Sequence, residues 1–155
     1  MMRGIVSFAI FSALAVGAIA ADVSAKLVLS KSKAKAGETI SATILMTVPN
    51  EHHAYAPPMG KDASPVVNVS LPKGSKLKLG KVSYPAGQVK VYPNFGDMPL
   101  NVYEGVVKIP VKITIPKTAT GSMKTTVSLF YQICANSGTC FPPKTIGVSA
   151  TVKIG

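Results

Sequence analysis

The stretch VVKIPVKITI, Val106 to Ile115, places Val107, Ile109, Val111, Ile113 and Ile115 at every second position and fills the gaps with Lys108, Pro110, Lys112 and Thr114. A period of two belongs to a strand with one dry and one wet face, since successive side chains of an extended chain point to opposite sides. A helical period would scatter the same residues around a cylinder.

The pattern repeats along the chain. In Ser24–Ser30 the apolar Ala25, Leu27 and Leu29 alternate, and Ile40, Ala42, Ile44, Met46 and Val48 share one face. Val67, Val69 and Leu71 follow, then Val127, Leu129, Tyr131 and Ile133, and lastly Val148, Ala150, Val152 and Ile154. Turn chemistry separates these runs, as in Ala36-Gly37, Pro72-Lys73-Gly74, Pro85-Ala86-Gly87 and Thr120-Gly121-Ser122. About seven short strands of this kind predict an all-β, immunoglobulin-like antiparallel sandwich of two sheets. With no tryptophan in the chain, the Cys-Trp-Cys spacing of antibody domains is missing, so the term is architectural. Two stretches, Pro49–Pro65 and Pro93–Leu100, are longer than a hairpin needs and are expected to be irregular and functional or mobile.

Residues 1–20 read as a cleaved secretory signal peptide: Arg3 precedes an uncharged run, and Ala18-Ile19-Ala20 offers a small-x-small cleavage site. Residues 21–155 then form one domain, exported and expected in the periplasm. The formal charge of +11 includes one arginine, Arg3; every other cation is lysine. Nucleic-acid readers depend on arginine forks and stacking aromatics, and aromatics are only 6% here, so no nucleic-acid partner is expected. The lysines read as a solubilising surface with protected sheet edges, or as an attraction for acidic partner proteins. A monomer is expected.

The only two cysteines stand in YQICANSGTCFPPK, Tyr131 to Lys144. The turn-rich Ala-Asn-Ser-Gly-Thr between Cys134 and Cys140 allows a hairpin that brings both within disulfide reach. Closing so short a loop stabilises by roughly 2–2.5 kcal/mol, against about 4.7 kcal/mol for a 100-residue loop, so a staple explains the placement poorly. Pro142 and Pro143 lack the N–H that would continue a ladder, which predicts an irregular, open end where another thiolate could reach a sulfur. On the residues alone a redox couple, a structural bond and metal ligation all stay open.

Tyr131, Gln132, Cys134, Cys140, Phe141, Pro142 and Pro143 resemble the active-site segment of the amino-terminal domain of the thiol:disulfide interchange protein DsbD family. VYEGVVKIPVKI and the HHAY segment are similar to it as well. The resemblance implies an immunoglobulin-like periplasmic domain whose catalytic Cys134 and Cys140 alternate between dithiol and disulfide, with no cofactor beyond that pair and no metal. It implies electron transfer from a membrane partner, expected here as a separate membrane electron-donor protein, to oxidised periplasmic thioredoxin-like proteins. It also implies an aromatic cap over the cysteines. Phe95 is the candidate, Tyr92 the second choice, Asp97 the remaining acidic neighbour, and Tyr55 and His53 flank the pair.

Two readings compete. His52, His53, Met59 and Met98 in the long stretches offer imidazole and thioether donors suited to a copper-binding module. A non-catalytic sandwich with an inert disulfide is the other.

Overall fold

The computed structural model describes residues 21–58 and 66–155. The predicted signal peptide, with Arg3, and Met59 of the copper reading lie outside the described residues. The strands are β1 (Ser24–Leu29), β2 (Lys33–Ala34), β3 (Thr39–Thr47), β4 (His52–Tyr55), β5 (Asn68–Ser70) and β6 (Lys78–Val82), followed by β7 (Gln88–Val91), β8 (Pro99–Tyr103), β9 (Val106–Thr114), β10 (Gly121–Tyr131), β11 (Ile133–Ala135) and β12 (Lys144–Ile154). One 3₁₀ turn, Pro93–Phe95, interrupts them.

Two four-stranded sheets, ordered β1-β3-β9-β6 and β2-β12-β10-β5, share one apolar core. Ile40, Ile44, Ile109 and Ile113 from the first sheet meet Val69, Val127, Leu129 and Val152 from the second. The alternation in β9 holds: Val107, Ile109, Val111 and Ile113 are buried, and the lysines between them are exposed. All strand pairs are antiparallel except the short β2–β12 pair. The expected sandwich is present.

Pro110 sits in a central strand and is tolerated for a local reason. Its carbonyl accepts from the Ser83 N–H, so its hydrogen-less nitrogen faces the same side, where the β6 ladder shifts register between Leu79 and Val82. A missing donor costs little beside a bulge.

The structure adds a third four-stranded sheet, ordered β11-β4-β8-β7. It draws on both stretches expected to be irregular. β4 lies in the first, and its His53, Ala54 and Tyr55 are all buried, which erases the one-sided pattern that marks a strand. β8 begins at Pro99 within the second, leaving only the 3₁₀ turn and a short link unpaired.

Ile109 is fully buried in a central strand, so Ile109→Ala should lower stability by about 3 kcal/mol. Lys108→Ala, one residue away on the wet face, should stay within about 0.5 kcal/mol. Urea denaturation midpoints of the two variants check this.

Candidate active site

The site forms where one hairpin changes sheets. β10 pairs with β12 from Gly121↔Ile154 to Tyr131↔Lys144. Beyond that the chain reaches Cys134 in three steps on one side, while the other side needs four steps back to Cys140, a two-against-one bulge at Pro142 and Pro143. Neither proline donates a hydrogen bond. The Gln132 side chain stands in, its Nε2 donating to the Phe141 carbonyl at 2.9 Å. A bulge bends a strand and raises its twist. The tip here leaves the sandwich and joins β4, where Cys134 lies opposite His53.

Cys134 and Cys140 face one another in the narrow type of antiparallel pair. The bonds that frame them belong to their neighbours: Phe141 N–H donates to Ile133 and Ala135 N–H donates to Thr139. Such pairs bring Cα atoms to about 4.5 Å; here they are 3.9 Å apart and the sulfurs are bonded. Backbone hydrogen bonds therefore hold the two residues together whether or not the sulfurs are joined. Their environments differ sharply. Cys134 is 0% exposed, whereas Cys140 faces solvent.

Behind Cys134 stands an aromatic wall. The Tyr55 hydroxyl lies 3.8 Å from Cys134 Sγ; with the sulfur in a disulfide, only the phenol can donate. His53 is fully buried, stacked on Tyr92 with centroids 4.3 Å apart and set edge-on to Tyr55 and Phe95. Its Nδ1 donates to Asn136 Oδ1 at 2.8 Å, which leaves Nε2 as a buried acceptor without a partner. Burial holds the imidazole below its ordinary pKa, against an opposing pull from Asn136 and Glu104. Tyr92 donates to Glu104 Oε1 at 2.7 Å, and burial followed by that bond pushes its phenol far up. Burial alone would raise the Glu104 carboxyl, but hydrogen bonds from Lys90 and Tyr92 keep it below the usual carboxylate range.

The 3₁₀ turn lies against the bend between the cysteines. Asn94 Nδ2 donates to the Ser137 carbonyl at 2.9 Å. Gly138 has φ +116, and a Cβ built on it would meet Asn94 Cβ at 3.0 Å, so both backbone and neighbour favour glycine there. Phe95, half-buried, packs with Tyr55, Tyr92, Val102 and Cys134.

Of the residues expected at the site, Cys134, Cys140, His53, Tyr55, Tyr92 and Phe95 come together. Asp97 does not join them: it is exposed beyond Gly96, with φ 55 and no side-chain hydrogen bond. Asn94, Asn136, Gly138, Glu104 and Lys90 are the additions. Asn136 and Gly138 were visible only as turn residues, and the others are joined to the site by tertiary contacts that carry no local signal.

A second anchor fixes the base of the hairpin. Asp22 accepts from Tyr131 and from Lys144, each at 2.6 Å; Lys144, then Tyr131, hold its carboxyl below the usual range. The two histidines of the copper reading do not converge. Adjacent residues of a strand point to opposite faces, and His52 Nδ1 bonds the Asn50 carbonyl while His53 is turned inward. Among the described residues no group of three or more His, Cys, Asp or Glu side chains could hold a metal ion.

The chain matches the family described as "Thiol:disulfide interchange protein DsbD, N-terminal" over residues 24–151. No curated protein matches it significantly. Similar solved structures include the reduced DsbD N-terminal domain of Neisseria meningitidis, at 16% identity and TM-score 0.46 over 83% of this chain and 85% of that one. The complex between the DsbD and PilB N-terminal domains from the same organism gives 19%, 0.43, 81% and 80%. A C-terminal fragment of the major pilin GBS80 of Streptococcus agalactiae gives 12%, 0.46, 85% and 56%.

The buried imidazole makes a pH prediction. A histidine whose pKa is lowered by folding contributes stability that is full above its unfolded value, about 6.5, and is lost as pH falls below it. The denaturation midpoint should fall between about pH 7 and pH 5. In His53→Phe, which keeps a ring against Tyr92, that dependence should flatten, because Glu104 and Asp22 titrate lower still.

Proposed function

Because the chain belongs to the family of DsbD amino-terminal domains, whose chemistry is thiol:disulfide exchange, we propose that Cys134 and Cys140 form a working couple of the protein-disulfide reductase type. The couple takes two electrons from a membrane reductant and gives them to oxidised thioredoxin-like proteins in the periplasm. The observation that carries this reading is the inequality of the sulfurs: Cys134 is 0% exposed and Cys140 is open to solvent.

In the reductive half, a donor thiolate attacks Cys140 Sγ, the S–S bond breaks, and its electron pair leaves on Cys134. The Tyr55 phenol, 3.8 Å away, donates to that new thiolate, which would otherwise be costly in so buried a place. The donor's second thiolate resolves the mixed disulfide, and the donor departs oxidised. In the forward half, the Cys140 thiolate attacks an acceptor disulfide and expels one acceptor thiolate. Cys134 then attacks Cys140 Sγ, restores the internal disulfide and releases the acceptor as a dithiol. Two electrons and two protons pass in each half, always from donor towards acceptor.

Phe95 and the 3₁₀ turn act as a lid, held by Asn94 and lifted when a partner docks. Such a lid keeps the reduced pair from stray disulfides. His53, kept neutral by burial, supports the lid from below. Periplasmic export through cleavage after residue 20, and action as a monomer, belong to the same proposal.

Equilibration with glutathione buffers should give a potential above about −300 mV; a lower value marks a structural bond and overturns the proposal. In the native host, Cys134→Ala should accumulate mixed disulfides through Cys140, read by mass spectrometry. Cys140→Ala, with only a buried sulfur left, should capture at least about tenfold less, because a buried thiol is a poor source of thiolate.

A further inference from the structure

The charges of this domain are segregated by end. Four described carboxylates lie toward the cysteines: Asp22 on Tyr131, Glu104 on Tyr92, Glu51 beside Asn136 and Asp97 after the 3₁₀ turn. The opposite end, where β10 starts and β9 stops, holds a single described carboxylate, Glu38, which is paired with Lys31. Around it gather lysines that form no ion pair among the described residues. Lys76, Lys78 and Lys117 border a cavity of about 120 Å³ beside Gly37, and Lys73 and Lys124 border the neighbouring groove with Lys76. All are exposed, and none is among the described ion pairs.

Lys33 and Lys153 sit directly opposite one another in the β2–β12 pair. Like charges in register destabilise a sheet, so folding gains nothing from this arrangement. Nor does the chemistry at the sulfurs. The pole lies roughly 33 Å from Tyr131 along β10, some three screening lengths at about 0.1 M salt.

We propose that this lysine pole is a docking surface for an anionic phospholipid bilayer, which holds the domain at the membrane with its disulfide end free for partner proteins. A diffuse array of exposed, flexible ammonium groups suits a fluid charged plane. The planar forks that grip phosphates of a nucleic acid in two places are absent, since the described residues include no arginine. The proposal is independent of the redox reading.

The test is co-sedimentation of the exported protein with vesicles at about 0.1 M salt. Vesicles of phosphatidylcholine containing about one-third phosphatidylglycerol are compared with phosphatidylcholine alone. Binding is expected to the anionic vesicles only. Each pole lysine removed should lower the partition about fivefold, so the triple variant Lys76→Gln, Lys78→Gln, Lys117→Gln should lose roughly a hundredfold. Lys26→Gln, Lys81→Gln, Lys108→Gln, with the same charge change elsewhere, should stay within about threefold, because screening confines the effect to the contact. Bound and free protein should be reduced by a water-soluble thiol at equal rates. Equal partition to neutral vesicles, equal losses in both triple variants, or protection of the disulfide on binding overturns the proposal. So does retention on soluble polyglutamate without vesicle binding, which would point to an acidic protein instead.

Discussion

Two missing amide protons organise this molecule. Pro142 and Pro143 cannot continue the ladder of β12, and the extra residue they occupy turns the β10–β12 hairpin out of the sandwich. Everything at the candidate site follows from that turn. The tip pairs with β4, Cys134 comes opposite His53, and the 3₁₀ turn finds a carbonyl to hold. Had the hairpin run straight on, both cysteines would stand on an edge with no aromatic wall behind them.

The division of labour between backbone and sulfur is as informative. The narrow pair is framed by hydrogen bonds on both sides, so the framework does not need the disulfide. Motif residues around the cysteines supply the bracing. Gln132 repairs the ladder, and Tyr131 ties the hairpin base to Asp22. A framework secured in this way suits the opening and closing of the bond that the proposed exchange requires. The two long-loop histidines, read as copper donors, are accounted for by Asn50 and Asn136.

The sandwich was legible wherever a strand has one wet side. β3, β9, β10 and β12 alternate cleanly because water lies on one face of each. The third sheet was not, and the reason is visible in β4: with His53, Ala54 and Tyr55 all buried, no wet face alternates with a dry one and the period vanishes. The cysteines could be found because their chemistry is local, six residues apart. Their setting could not. His53 and Asn136 are separated by 83 residues, and Tyr92 reaches Glu104 only because β8 folds back alongside β7. Phe95, favoured over Tyr92 as the cap, shares the site with it: Tyr92 is buried against His53 and Phe95 lies half-exposed beside both.

Gly138 gives the arrangement a steric gauge. Its missing side chain is the clearance between the bend and Asn94. A single methyl group there would press against the turn that bears Phe95 and would strain the bend between the cysteines as well, since φ +116 suits glycine. The spacing between the disulfide hairpin and the turn that bears Phe95 is thus set by the absence of one carbon atom that would take no part in any chemistry.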